Sequence, residues 1–197
     1  MCDAGLADDS EARQVEALIR LFDGIFAERY TTRLVRGDDE PIYLPRDDCT
    51  SYHRIVFAHG FFASGLHEIS HWCIAGPARR QQEDFGYWYL PDGRNEEQQD
   101  AFERAEVEPQ AVELILTEAC GRRFNVSVDN LDPNVNVDRY AFHDKVAARA
   151  SERRAAGLPP RIEALRVALE AHFKQALPLA EAIHRADEVF RRLGTPA

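Results

Sequence analysis

From Ser10 onward, apolar residues recur at three- and four-residue steps: Val15, Leu18, Ile19, Phe22, Ile25 and Phe26. That spacing gathers them on one face and predicts an amphipathic helix with Ser10 as its N-cap. Residues 1–9 are polar and predict a flexible, frayed terminus. Beyond the helix the alternation loosens until Gly37-Asp38-Asp39-Glu40-Pro41 makes an acidic turn into Ile42-Tyr43-Leu44. Prolines 41 and 45 bracket that run and restrict it to a short edge strand. Arg54 to Ala58 is rich in strand formers and predicts a buried strand. A second helix starts near Ser64 and stops at Gly76-Pro77, where glycine accepts a left-handed cap and proline blocks continuation. Phe85 to Leu90 reads as a strand entering the Pro91-Asp92-Gly93 turn. A polar helix runs from an Asn95 cap to about Ala105, and a separate helix opened by Pro109 continues to Cys120. Three helices follow, over 138–156, 161–176 and 178–193, with Gly157-Leu158-Pro159-Pro160 as a stiff connector. The pattern predicts an α+β fold, with residues 10–197 forming one helix-dominated domain that carries a small sheet and a helical C-terminal third.

The length of 197 residues suits one sizeable domain better than two. The 34 acidic and 24 basic residues give a formal net charge of -10. Such a surface repels phosphate backbones and argues against a nucleic-acid partner. No run approaches the ~20 apolar residues of a membrane helix. The acidic start, MCDAGLADDSE, lacks the positive charge that opens a signal peptide. Cys2, Cys49, Cys73 and Cys120 are widely spaced and form no CxxC pair, which is the usage of reduced thiols. The expectation is a cytoplasmic protein with no membrane partner.

Chemistry concentrates in His67-Glu68-Ile69-Ser70-His71, an HExxH word on the second predicted helix. At 3.6 residues per turn the two imidazoles fall on one face, about one turn apart, within reach of one metal ion. Glu68 lies next to the first histidine and can exchange a proton with whatever occupies an open position of the metal. Leu66, Ile69 and Cys73 fill the remaining faces, as a partly buried helix requires. Two histidines need a third protein ligand, and sites of this type use a carboxylate. Glu103, Glu106, Glu108 and Glu113 all contend. Glu106 has the added feature of Gln110 four positions on, where an amide could support the ligand.

The words GDDEPIYLP (37–45), RIVFAHG (54–60), HEISHWCIAG (67–76) and FGYWY (85–89) occur together and in this order. With FERAEVEPQ (102–110) and NVSVDNL (125–131), they make the chain resemble the bacterial elongation factor P hydroxylase family over roughly residues 15–145. The resemblance implies hydroxylation of an elongation factor P lysine that already bears a β-lysyl group. It also implies a fold like that of the HExxH metalloproteases (zincin-like), and a metal held by His67, His71 and a downstream glutamate that aligns with Glu106. The family accepts lysine at the place of Glu108, which counts against that competitor.

A site of two histidines and one carboxylate serves Fe(II) with oxygen or Zn(II) with water. Hydroxylating an unactivated C–H bond needs a redox-active metal, so the implied cofactor is one divalent ion, Fe(II), with Glu68 as the acid or base beside it. The alternative is a zinc peptidase or amidase in which the same Glu68 activates water. The implied partner, elongation factor P, brings a long cationic side chain. Asp38, Asp39 and Glu40, together with the aromatic faces of Tyr43 and Tyr87, form the expected rim over which such a cation enters.

Overall fold

The apolar stripe of the first helix is buried as its spacing requires. α1 (Ala4–Tyr30) presents Val15, Leu18, Phe22, Ile25 and Phe26 to the core. The computed structural model describes residues 4–84, 95–128 and 138–195. α1 begins ahead of Ser10, which therefore lies inside the helix and is not its cap. Residues 4–9 contain no proline and include two alanines, so nothing there stops the helix.

Among the described residues the sheet has three strands in the order β1-β3-β2. β1 (Thr32–Arg36) runs parallel to β3 (His53–Phe57), with Leu34 opposite Ile55. β2 (Ile42–Leu44) lies antiparallel on the other side of β3, an edge position as its flanking prolines demand. β1 has a weak signature in sequence. Thr32 and Leu34 point inward, but Arg33 and Arg36 leave only a short alternation to read.

A tight turn, in which His59 (φ 53°) and Gly60 (φ 67°) are both left-handed, joins β3 to α2 (Phe62–Ile74). α3 (Glu96–Ala119) corrects the expectation of two helices, because it runs unbroken through Pro109. Asn95 and Gln98 close a reciprocal capping box at its start. Pro109 forfeits one internal hydrogen bond, yet the burial of Ala111, Val112, Ile115 and Leu116 holds the helix together across it. α4 (Arg139–Ala156) is capped by Asp138, whose side chain accepts from the Tyr140 and Ala141 amides. α5 (Pro160–Leu169) passes into a π turn at Glu170–Lys174, and α6 (Leu179–Leu193) closes the chain. The strand expected over Phe85 to Leu90 lies outside the described residues.

Trp72 of α2 is ringed by Phe22, Phe26 and Tyr30 of α1, at centroid distances of 5.3, 5.0 and 5.4 Å. These rings join residues of α5 and α6 in the main core. A second apolar cluster, with Ile115, Phe142 and Val146, fills the space between α3 and α4. α3 thus contributes to both cores and runs against α2 on one side.

Candidate metal centre

His67 and His71 leave α2 one turn apart, and their Nε2 atoms lie 3.0 Å from each other. Glu106 of α3 completes the group. Its carboxylate oxygens are 3.4 Å from His71 Nε2 and 3.7 Å from His67 Nε2. Ligands about 2.0–2.2 Å from one ion in tetrahedral or octahedral geometry are separated by roughly 3.0–3.5 Å, close to the spacing found here. Three side chains from two helices therefore surround a point that suits a divalent ion.

The continuous α3 explains which glutamates reach this point. Glu106, Gln110 and Glu113 lie at i, i+4 and i+7 on one face. Glu108 is turned to the far side, where it pairs with Arg149 and Arg153, and Glu103 pairs with Lys145 at 3.0 Å. Gln110 Nε2 donates to Glu106 Oε2 at 3.2 Å and to the Ser127 carbonyl at 2.8 Å, while its Oε1 accepts from the Ser127 amide at 3.0 Å. The amide is thus clamped on three sides and orients the glutamate. Glu113 does not join the triad. Its Oε2 is 2.9 Å from His67 Nδ1, a contact that a proton on Nδ1 satisfies, with Nε2 on the side of the ring that faces His71 and Glu106.

Carboxylates dominate the electrostatics. Burial opposes a charge on His67, but the Glu113 hydrogen bond and the nearby charges of Glu113, Glu68 and Glu106 outweigh it and raise the imidazole to about 10. Burial raises Glu68 to about 7, against the pull of His67. His71 moves the other way, held well below its ordinary value by burial and by the charges of His67 and Arg79. The surplus of negative charge favours a cation at this point, either a proton on His67 or a metal ion between the imidazoles.

A small cavity of about 30 Å³ opens beside the group, lined by Glu68, His71 and Trp72 of α2, Tyr43 of β2 and Ile55 of β3, with Arg79, Arg80 and Asp84 alongside. Both ends of α2 are anchored. Glu11 of α1 accepts from the Phe62 amide at its N-terminus and also pairs with Arg122. At the C-terminus Arg161 donates to the Trp72 and Ala75 carbonyls (3.3 and 2.9 Å), and Arg80 to the Ala75 carbonyl (3.3 Å). Anion at the start and cations at the end complement the helix dipole.

A sequence profile of the elongation factor P hydroxylase family matches residues 21–183. The chain is also 51% identical over 160 residues to the elongation factor P lysine hydroxylase of Haemophilus influenzae, covering 81% of this chain and 89% of that protein. This chain belongs to the elongation factor P hydroxylase family.

Within this hydroxylase fold the residues singled out from sequence divide clearly. His67, His71 and Glu106 converge, and Glu68 and Tyr43 line the adjoining cavity. Tyr43 donates to the Arg80 carbonyl at 2.9 Å, and burial pushes its phenol up to about 12. Asp38, Asp39 and Glu40 are exposed in the turn between β1 and β2 and do not line the cavity. Tyr87 lies outside the described residues. His59 is exposed on the turn before α2. The reading from sequence missed the supporting role of Glu113 and the anchoring of α2 by Glu11, Arg80 and Arg161. The seven-residue step from Glu106 to Glu113 was a usable signal once α3 is taken as one helix. Arg161 is 89 positions from Trp72 and has no local signature.

Proposed function

We propose that this chain hydroxylates a lysine of elongation factor P by means of an iron ion held by His67, His71 and Glu106. The observation that carries the reading is the convergence of those three side chains in a member of this hydroxylase family. Iron supplies the redox chemistry with oxygen that hydroxylation of an unactivated C–H bond demands and zinc lacks. Gln110 and Glu113 hold the ligands in register, so the site is organised before substrate arrives. Glu68 lies on the cavity wall next to His67 in the chain, placed to take and return a proton beside the triad. Ile55 and Trp72 form an apolar wall that limits water around the reacting carbon.

The lysine acted on carries a β-lysyl group in this reading, and the protein works in the cytoplasm, where its translation-factor substrate is found. Among the described residues no helix is long and apolar enough to cross a membrane. An HExxH helix following a small mixed sheet supports a likeness to the metalloprotease fold, but no observation favours peptide cleavage. The test is the mass of elongation factor P purified from cells with and without this protein. A difference of one oxygen atom is expected, and identical masses would overturn the assignment.

A further inference from the structure

A folded protein substrate touches more of an enzyme than the side chain that reacts, and the surface of α2 shows where. The half-buried positions Ser64, His67, Glu68, His71 and Ile74 follow one another at helical steps and form the stripe on which the imidazoles open. Phe61 lies three residues before Ser64 and seven before Glu68, so it carries this stripe to the N-terminal end of the helix. It is 59% exposed, a large apolar side chain left in water on the face that holds the metal ligands. Tyr140 and Leu193, the other exposed large apolar side chains among the described residues, belong to α4 and α6.

A single exposed phenylalanine is ordinary, but this one is held in place. His59 and Gly60 before it are both left-handed, an uncommon state for a histidine. The His59 amide donates to the Asp38 carbonyl at 2.9 Å, and the Ala58 amide donates to Ser64 Oγ at 3.1 Å. The Phe61 carbonyl accepts from the Gly65 amide at 3.1 Å, and the His59 ring backs the Phe61 ring at 5.8 Å. An aromatic ring on a turn fixed in this way loses little freedom when a partner covers it.

Reach decides whether a partner at the metal centre does cover it. A standard interface takes about 800 Å² of each protein, a disc of roughly 16 Å radius. Phe61 precedes His67 and His71 by only about 9 and 15 Å along the helix axis. A protein of ordinary footprint centred on the triad therefore lies over Phe61.

We propose that Phe61, backed by His59, anchors the folded body of elongation factor P by entering an apolar depression on the domain that carries the target lysine. The inference rests on the reading above that this factor is the substrate. The anchor holds the protein and not the reacting side chain, so it acts on binding and leaves the chemical step unchanged.

The test is titration calorimetry of folded elongation factor P into the metal-loaded protein under anaerobic conditions, with hydroxylation followed separately by mass spectrometry. Phe61→Ala should weaken binding about tenfold or more, with a matching rise in KM, kcat within about twofold and metal content unchanged. Phe61→Leu keeps an apolar side chain and should recover most of the loss, and Leu193→Ala on α6 should bind like the parent. Parental affinity in Phe61→Ala, equal weakening in Leu193→Ala, or no binding by the parent would overturn the anchor. If Phe61→Ala weakens binding but the parent never hydroxylates the factor, the anchor stands and the proposed function falls. If the parent hydroxylates the factor and Phe61→Ala does so at the parental KM, the anchor alone is wrong.

Discussion

At the scale of single residues, the four glutamates near the HExxH helix are separated by what else they touch. Glu103 and Glu108 are neutralised by cations of α4, Glu113 holds a histidine, and Glu106 faces both imidazoles. His67→Ala, His71→Ala and Glu106→Gln should each lose stoichiometric metal when measured by mass spectrometry, while Glu103→Gln and Glu108→Gln retain it. A different outcome is expected at Glu113. Removing a group that orients a ligand lowers affinity without abolishing the site, so Glu113→Ala should weaken metal binding roughly 10- to 100-fold in a competition titration. Full parental affinity in Glu113→Ala would show that its contact with His67 Nδ1 is incidental. HExxH was legible because i,i+4 spacing is local, and Gln110 was legible for the same reason. In sequence Glu113 is one more contending ligand, since its distance from His67 is set by how two helices pack.

At the scale of elements, α2 is the part that must not move, and it is tied at both ends to other helices. Arg161 is nearly buried beneath the Trp72 and Tyr30 rings and donates to two carbonyls of the α2 terminus. Arg161→Ala should destabilise the protein by about 2–3 kcal/mol in urea unfolding, because charge-assisted bonds are lost and carbonyls are left buried. The N-terminal anchor responds to pH. The Arg122 hydrogen bond, opposed by partial burial, lowers Glu11 below its ordinary 4.5. A carboxyl bound less readily to protons in the folded state stabilises fully above the unfolded value, and the contribution fades as pH falls through the lower folded one. The stability difference between parent and Glu11→Gln should therefore be largest near neutral pH and shrink in acid. A difference that stays constant down to pH 3 would show that the ion pair contributes nothing.

At the scale of the whole molecule, the triad links the helix of the main core to α3, which carries residues of both apolar clusters. An ion bound by His67, His71 and Glu106 ties those parts together and is absent from the unfolded chain. Saturation at a hundred times the dissociation constant should add about 2.7 kcal/mol of stability. For a chain of this size that is a rise of several degrees in Tm, reversed by a chelator. Glu106→Gln should show little of the rise. A parent protein whose Tm ignores added iron and chelator alike would argue against any metal at this point.

The amino-acid order alone determined whatever depends on neighbours in the chain: the apolar stripe of α1, the edge position of β2 and the one-turn spacing of two imidazoles. α2 ends at Ile74, just ahead of Gly76-Pro77, but its cap is Ala75 with an ordinary φ of -63° and not a left-handed Gly76. The family words aligned Glu106 with the third ligand. Tertiary structure decided what depends on separate segments meeting. It carried α3 through Pro109, because buried side chains on both flanks outweigh one lost hydrogen bond. It set Glu113 on His67, Arg161 on the end of α2 and Asp84 on the cavity beside Tyr43, while leaving Asp38, Asp39 and Glu40 on an exposed turn. Spacing along a helix is fixed by its 3.6-residue repeat, but the distance between two helices depends on every side chain packed between them.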